Sequence, residues 1–278
     1  MAVLNSGLEQ AFTPEDYGKL IDTVVDAKSI AFQVGTVVNT SLQSIRFPIL
    51  KADPSTGWFA ENTTITLVDP DTEEVVVTPT KVAGRTQISN EAASDSDPAV
   101  ASIVGTGLAR DIAKKIDNAF FGNTVTNGPS GLLSLSATAV DTGTITAVAN
   151  LDFFHDAKKK AYDNNSELTH FVISPAIALQ LAKIKVLSSG SNQGLLETVD
   201  DGVLLAGLPA LVSPSVDALT FAWGIDASQV MVVRRTGTTI ATSKDAAFGE
   251  DALQIRATSR VGFGFANPAR VVRLYDAA

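Results

Sequence analysis

Histidine and carboxylate side chains are the first candidates for chemistry in this sequence, because the chain has no cysteine. Thiolate metal sites, cysteine nucleophiles and disulfides are therefore excluded. The two histidines are His155 and His170, and Asp152 lies three residues before His155 on one face of a predicted helix, a spacing that could hold a metal ion. Acidic residues are also favourable in a first helical turn without any metal, so a solvated histidine beside them is the simpler interpretation.

Three further patterns resemble pieces of known sites, and each lacks a part that the chemistry requires. Lys158–Lys160 could contact phosphate, but three consecutive lysines on a helix are typical of a solvated face. Asp69–Glu74 resembles a fragment of a calcium-binding loop without its glycine and bidentate glutamate, which favours a simple turn. Gly262–Gly264 and Ser189–Gly194 match neither a phosphate-binding loop nor a nucleophile elbow. The sequence therefore predicts no enzymatic site, no metal and no cofactor.

Composition and charge limit the classes of protein to which the chain can belong. Of its 278 residues, 45% are hydrophobic and 18% are charged, enough for a real core in one large domain or two small ones. The net charge of −9 repels nucleic acid and anionic membranes. No apolar run approaches the ~20 residues that span a bilayer, and the first residues lack a signal-peptide pattern. We expect neither a membrane protein nor a sequence-specific nucleic-acid binder.

The best-defined element is a long amphipathic helix over residues 98–121. Its apolar residues recur at steps of three and four: Val100, Ile103, Val104, Leu108, Ile112, Ile116, Ala119 and Phe120. Asp97 can cap the helix, Pro98 fits its first turn and Gly122 can end it. A solvated face is the simplest interpretation of its five central charged residues: Arg110, Asp111, Lys114, Lys115 and Asp117.

The remaining helices and strands favour an α+β fold. A short helix is expected within residues 13–30, a second helix capped by Asn150, and a third capped by Ser174 that ends before Gly190. Ser44–Asp53 alternates Ile45, Phe47 and Ile49 and is predicted to be a strand. Further strand-like runs, separated by turns, are Lys81–Glu91, Val230–Ser243, Ala252–Phe265 and Ala269–Asp276. Two separated β-rich regions with helices between them indicate the α+β class.

Residues Gly57–Thr80, GWFAENTTITLVDPDTEEVVVTPT, are predicted to form two strands around an acidic turn that contains a proline. With extended flanks, about ten residues per arm at ~3.3 Å each give a hairpin roughly 30–35 Å long. A body of ~100 residues has a radius of gyration of only ~13 Å. An isolated hairpin is marginal in water, and exposed edges beside Trp58 and Phe59 invite pairing with another chain. The sequence therefore predicts that the hairpin folds onto a neighbouring copy.

Several segments occur in an order that carries more information than any one of them. IRFPIL, GWFAENTTI and VVVTPTKVAGRTQISNEAASDS precede the long helix, which ends in IDNAFFGN, and FVISPAIALQLAKIKVLSSG follows it. The C-terminal part continues with LAGLPALVSPSVDAL, AWGIDASQVMVVRRTGTTI and AFGEDALQIRATSRVGFGFANPARVVRL. Over roughly residues 40–275, this order resembles the major capsid proteins of tailed double-stranded DNA bacteriophages with the HK97 fold.

The resemblance implies an HK97-like α+β capsid fold in four parts. Residues 1–40 would be an N-terminal arm, residues 53–77 an extended β-hairpin loop over an adjacent subunit, and residues 126–221 an axial domain. A peripheral domain with the long helix as its spine would take the remaining segments, with the last strand able to join the axial domain: 41–52, 78–125 and 222–278. Five loop residues would contact the neighbouring subunit: Trp58, Phe59, Glu61, Asp69 and Asp71.

The resemblance also implies partners and a location. The chain would assemble with itself into pentamers and hexamers of an icosahedral shell that encloses double-stranded DNA without sequence-specific binding. A portal protein and a decoration or cement protein would be further partners. Some members of the family carry a scaffolding domain before the arm, but only about 40 residues precede the region of likeness here. Either the chain is a processed form or scaffolding comes from a separate protein, and Met1 favours the separate protein. The shell would assemble in the host cytoplasm and become part of the virion.

In the founding member of this family, a loop lysine attacks an asparagine of another subunit while a glutamate acts as base, and the shell becomes covalently linked. The resemblance places Asp251 at the asparagine position and Thr258 at the glutamate position. The loop from Asp53 to Glu74 contains no lysine. Because the reaction needs an amine, an amide and a base together, we expect a non-covalent shell.

Two other classes stay open from the sequence alone. An encapsulin, the shell protein of bacterial enzyme-holding nanocompartments, shares the fold, and DNA rather than an enzyme inside the shell would separate the two. A β-rich hydrolase or lectin would need a convergent polar cluster in a deep pocket.

Overall fold

The computed structural model describes residues 22, 25–52, 54–91, 100–143, 150–185, 194, 196–199, 202–235, 238–243 and 245–276. Its main helices are α1 (Ile30–Val34), α2 (Val100–Phe121), α3 (Asp152–Asp163) and α4 (Pro175–Lys183). The strands are β1 (Thr36–Thr40), β2 (Ile45–Ala52), β3 (Asp71–Val77), β4 (Thr80–Ser89), β5 (Thr138–Asp141), β6 (His170–Ile173), β7 (Glu197–Val199), β8 (Gly202–Leu205), β9 (Leu208–Val212), β10 (Thr220–Ile225), β11 (Val230–Arg235), β12 (Thr239–Ser243), β13 (Ala252–Phe265) and β14 (Val272–Tyr275). The α+β class predicted from the sequence is confirmed.

Helix α2 occupies the place that the long apolar repeat predicts. It runs for 22 residues and ends at Phe121, directly before Gly122. The Gly122 N–H donates to the Asn118 carbonyl at 3.0 Å and satisfies one of the last carbonyls of the helix. The predicted cap Asp97 and the predicted first-turn residue Pro98 lie outside the described residues.

Helices α3 and α4 differ in how they begin. Helix α4 follows the prediction, because the Ser174 side chain accepts a hydrogen bond from the Ile177 N–H at 3.4 Å. In α3 the cap position is occupied by Leu151 rather than Asn150 and has no side-chain cap. Asn150 still stabilises the start of the helix, since its Oδ1 accepts a hydrogen bond at 3.4 Å from the N–H of Asp152, the first helical residue.

The 14-residue strand β13 organises a five-stranded sheet. Strand β4 runs antiparallel to it from Thr80↔Val261 to Ser89↔Ala252. Strand β12 lies on the opposite side, because its partners Gln254–Thr258 in β13 also pair with β4. Strand β11 follows on that side and pairs with Val261–Phe265, of which Val261 also pairs with β4. Strand β1 adds a parallel edge to β11. The sheet offers one long face on which α2 can pack.

The second sheet has seven strands in the order β5-β14-β10-β6-β9-β8-β7. The inner strand β10 is buried along its whole length and pairs antiparallel with β14 and β6. The β5–β14 and β6–β9 pairs are parallel. The last strand of the chain thus joins the sheet that carries α3 and α4.

The buried hydrophobic residues form two cores, and the first also includes Val172, Trp223 and Ile225 of the seven-stranded sheet. In the first core, α2 buries Ile112, Ile116 and Phe120 with Val232 and Val261 of the five-stranded sheet. In the second, the seven-stranded sheet packs against α3 and α4 through buried residues that are mostly aromatic or aliphatic: Phe154, Ala157, Phe171, Ile177, Leu181, Phe221 and Leu274. Burial of these side chains supplies the main driving force for folding of both units.

Two buried charged residues, Arg234 and Asp117, bind the segment around α1 to the rest of the fold. Arg234 of β11 is almost fully buried and forms ion pairs with Asp26, and with Asp22 at 3.5 Å. Its guanidinium also lies 4.6 Å from the centre of the Phe32 ring. Most of the short helix predicted within residues 13–30 lies outside the described residues, but residues 25–28 are helical.

The second of these charges is Asp117 on α2. Its carboxylate accepts hydrogen bonds from the Ser29 hydroxyl at 2.6 Å and from the N–H groups of Ile30 and Ala31, both at 3.1 Å. Those two N–H groups are free of intrahelical partners because they open α1, so Asp117 caps that helix from another element.

Within the described part of the chain, no helix is both long and apolar enough to cross a membrane.

Candidate intersubunit interface

A two-stranded sheet formed by β2 and β3 stands apart from the two main sheets. The pairing is antiparallel and runs from Ile45↔Val77 to Ala52↔Asp71, with an irregularity between Leu50 and Ala52. The sequence run over 44–53 therefore is a strand, and its proline fits because β2 has only one partner strand. An exposed ion pair at 3.1 Å, Arg46 with Glu74, bridges the strands and contributes at most about 1 kcal/mol.

The predicted arrangement of this hairpin was wrong in its inner part. Residues 54–70 are all described, and they form neither helix nor strand. The acidic segment expected to be the turn instead starts β3 at Asp71. Pairing with β2 favours this extended conformation, and the acidic side chains can project into water from such an exposed ribbon. The connection between the strands is therefore a long loop, which we call the 54–70 loop.

Large apolar side chains of the 54–70 loop lie in solvent. Trp58 is fully exposed, Ile65 is 72% exposed and Leu67 is 90% exposed, and Phe59 and Val68 are also exposed. Monomeric proteins rarely expose large apolar patches, and patches with several large apolar side chains mark interaction sites. The loop therefore has the composition of a surface that is covered by another molecule.

Sequence reasoning named Trp58 and Phe59 but missed Ile65 and Leu67. The available signal was their alternation with threonine in TITLV, which predicts a strand with one buried face. Among the residues that the structure describes, this segment has no partner strand, so the pattern is not realised as a strand. A segment with a strand pattern and no partner in its own chain can pair with the edge of another chain.

The loop and the adjoining strand carry one sign of charge. Between residues 54 and 74 there is no lysine or arginine, and the acidic residues are Glu61, Asp69, Asp71, Glu73 and Glu74. The proposed contact residues Glu61, Asp69 and Asp71 are all exposed. A partner surface with lysine or arginine would therefore be attracted to this loop.

The base of the hairpin is fixed firmly to the five-stranded sheet. Val77 is buried, and it packs where β13 has Gly262 and Gly264. A Cβ atom at either glycine would lie 2.9 Å or 2.6 Å from a Val77 methyl carbon, which is too close for a side chain. The GFG pattern of the sequence is thus explained by close packing of the hairpin base. The loop projects from a rigid base.

The two positions considered for a cross-link lie on and beside β13. Asp251 directly precedes the strand, is exposed, and accepts a hydrogen bond from the Asn90 side chain at 2.5 Å. Thr258 lies within the strand, and its hydroxyl is 2.7 Å from that of Thr239 on β12. Neither residue offers an amide or a carboxylate base in the places that the family chemistry needs them.

The other chemical candidates from the sequence are dispersed over the surface. His155 and Asp152 are exposed on α3. The lysine run is divided, since Lys158 donates to the Ala206 carbonyl at 3.1 Å and Lys159 pairs with Asp163 at 2.6 Å. Among the described residues, no group of three or more His, Asp or Glu side chains is arranged to hold a metal ion.

The sequence analysis missed the role of Asp117, which accepts hydrogen bonds at the start of α1. Its place among the charged residues of α2 predicts exposure, yet only 7% of it is exposed. Burial raises the pKa of its carboxyl group, while the hydrogen bonds from Ser29, Ala31 and Ile30 oppose that rise. Helical spacing is the signal that could have found it, because Asp117 neighbours the buried Ile116 and Phe120 of the apolar face.

Solved structures share this fold from end to end. The chain from Mycobacterium phage Cain is 18% identical with a TM-score of 0.73, and the match covers 96% of this chain and 99% of that one. A chain described as "Capsid of native GTA particle computed with C5 symmetry" is also 18% identical, with a TM-score of 0.72 and coverage of 88% and 89%. The chain from Mycobacterium phage Adephagia is 17% identical, with a TM-score of 0.73 and coverage of 90% of each chain. These likenesses establish the HK97-like capsid fold.

Sequence comparison assigns the family independently of the fold. No curated protein sequence is significantly similar to the chain. The model of the phage capsid family matches residues 10–275, nearly the whole chain. The sequence left two kinds of shell protein open, and this match favours the phage capsid over the encapsulin. Membership of the capsid family also suggests a structural, non-enzymatic protein. The chain belongs to the phage capsid family and is a shell-forming major capsid protein with the HK97-like fold.

Proposed function

We propose that the 54–70 loop of each subunit lies over a neighbouring subunit and links the copies into pentamers and hexamers of a closed icosahedral shell. The observation that carries this proposal is the exposure of Trp58, Ile65 and Leu67 on a loop that the described part of its own chain leaves uncovered. Removing such side chains from water stabilises an assembly by roughly 25 cal/mol per Å² of apolar surface. Because a shell repeats the contact in every subunit, individually weak contacts add up to a stable particle.

We propose that the two sheets correspond to the two domains of the capsid fold. The five-stranded sheet with α2 would form the peripheral domain, and the seven-stranded sheet with α3 and α4 the axial domain around the symmetry axes. The segment up to residue 40 would be the N-terminal arm. Membership of β10 and β14 in the seven-stranded sheet supports placing residues 220–225 and 272–275 with the axial domain.

The shell would enclose double-stranded DNA without reading its sequence. The net charge of −9 supports this, because a shell that repels DNA does not condense it on the inner wall. We further propose a separate scaffolding protein, a portal protein and a decoration or cement protein as partners. Assembly would take place in the host cytoplasm, and the protein would have no catalytic activity.

We expect shells that are large under native conditions and dissociate fully in SDS. Sedimentation of purified particles should give a fast species with the size of a shell, and boiling them in SDS should give a single band near 29 kDa. The reason is that the loop has no lysine, and Asp251 and Thr258 replace the amide and the base of the cross-linking reaction. A stable 29 kDa monomer at high concentration, with scaffolding protein present, would contradict the shell. A covalent ladder in SDS would contradict the non-covalent contact alone.

A further inference from the structure

We propose that a groove between α2, β4 and the segment 124–130 receives Trp58 and Phe59 from the 54–70 loop of a second copy of this chain. The inference rests on the proposed function, because it names the surface on the neighbouring subunit that the loop covers. It adds a specific receptor for the two aromatic side chains.

The groove has the size and lining of a pocket for an aromatic side chain. It encloses about 350 Å³. Its floor is apolar and comes from α2, β4 and β13, with Val82, Leu108, Ile112, Ile116, Val261 and Phe263. Trp and Phe each bury about 150–250 Å² when they enter such a site, and they are frequent anchors of interfaces.

One wall of the groove is formed in advance by the segment 124–130. Its ends are joined by a β-bridge between Thr124 and Ser130, whose hydroxyls are 3.1 Å apart. The turn inside is closed by the Gly128 N–H, which donates to the Val125 carbonyl at 2.9 Å. A Cβ at Gly128 would lie 2.9 Å from the Val125 Cβ, so the turn requires glycine. A wall fixed in this way reduces the entropy that binding would cost.

The charges at the groove complement those of the loop. Lys81 and Lys115 line the groove and are exposed, and Asp111 is the acidic residue that accompanies them. The loop has Glu61 close to the aromatic pair and no basic residue. Docking of Trp58 would therefore bring an acidic segment towards two lysines, which favours the encounter and its orientation.

The aromatic pair of a subunit does not occupy the groove of the same subunit, because Trp58 and Phe59 are both exposed. The groove begins at Thr80, directly beyond the base of the hairpin. The loop starts at the opposite end of β3, and the seven residues of that strand span about 23 Å at ~3.3 Å per residue. The hairpin thus holds the start of the loop away from the groove of its own subunit, and we assign the aromatic pair that fills the groove to another copy.

Engineered cysteines test this contact directly, because the natural chain has none. Subunits with Phe59→Cys are assembled together with subunits that carry Val125→Cys, an exposed residue of the groove wall. Mild oxidation or a short bismaleimide should then give a dimer band in SDS. The matched control combines Phe59→Cys with Leu179→Cys, which is similarly exposed but lies on α4, and should give no dimer above background.

The test counts when the assembled particles contain both kinds of subunit. The groove assignment would be overturned if Val125→Cys and Leu179→Cys gave equal yields of dimer, or if neither gave a dimer. Such particles would leave the proposed shell function intact, so the two failures are distinguishable. If Phe59→Cys subunits fail to assemble, Glu61→Cys takes their place with the same expected pattern.

Fluorescence gives a second readout. In Trp223→Phe, Trp58 is the sole tryptophan, and its emission should shift to the blue and resist acrylamide quenching on assembly. An emission that stays that of a solvated tryptophan in assembled shells would overturn the docking.

Discussion

Replacing residues 53–70 by an Asn-Gly turn should abolish shell formation while the subunit stays folded. Ala52 and Asp71 are register partners in the β2–β3 pair, so a two-residue turn can join them without moving the strands. Every residue between 54 and 70 is exposed, so neither core loses a contact. The particle loses the same contact in every subunit. Electron microscopy should show no shells, and circular dichroism should show an unchanged cooperative thermal transition.

Two point variants test the same prediction with smaller changes in the loop. Trp58→Ala should lower particle yield less severely than the deletion, because loss of an aromatic anchor costs about 2 kcal/mol or more per interface. Asn62→Gly is the matched control. Asn62 has a φ of 62° in a turn in which Thr63 donates to the Ala60 carbonyl, and glycine accepts that conformation without strain. Normal shells from the deletion variant would show that the loop is not needed for assembly.

Asp117→Ala should destabilise the folded subunit by about 3 kcal/mol, because it leaves three donors at the start of α1 without an acceptor. Relief of the buried charge offsets part of that cost. Urea unfolding of unassembled subunits measures the change. Asp111→Ala is the control on the same helix. Asp111 is exposed, and its loss should change the free energy of unfolding by less than about 0.5 kcal/mol. Equal effects of the two variants would contradict the capping role of Asp117.

The same residue predicts a dependence on pH. Because burial raises the pKa of Asp117, the folded chain binds this proton more tightly than the unfolded chain does. Its contribution to stability is therefore fully present below the ordinary pKa of 3.8 and is lost as the pH rises through the raised pKa. Wild type should gain stability relative to Asp117→Asn as the pH falls from 7 towards 4. A relative loss over that range would mean that the hydrogen bonds outweigh burial and lower the pKa.

Local signals in the sequence were sufficient for the long helix and for the longest strand, but not for the short strands β1, β5 and β7–β10. The three- and four-residue apolar steps predict α2, and the alternation in ALQIRATSRVGFGF predicts β13, because both patterns are set by one buried face. The capping of α4 by Ser174 follows from side-chain chemistry within three residues. Leu151 at the start of α3 could not be predicted in this way, since it has no capping group.

The hairpin shows why the interface was only partly predictable. The segment Thr64–Val68 has the pattern of a strand, but a strand needs a partner, and partner choice is a long-range property that a local pattern does not contain. Trp58 and Phe59 could be recognised because large aromatic residues on a hairpin with exposed edges favour pairing with another chain. The burial of Asp117 depends on where the segment at Ser29 lies, 88 residues earlier in the chain, which no local pattern encodes.

The most direct test of the account is a cryo-electron microscopy reconstruction of the assembled particle in which residues 54–70 can be traced. The account predicts that Trp58, Ile65 and Leu67 of each subunit lie against an adjacent subunit and are buried there. A shell in which this loop folds back onto its own subunit, or stays in solvent between subunits, would contradict it.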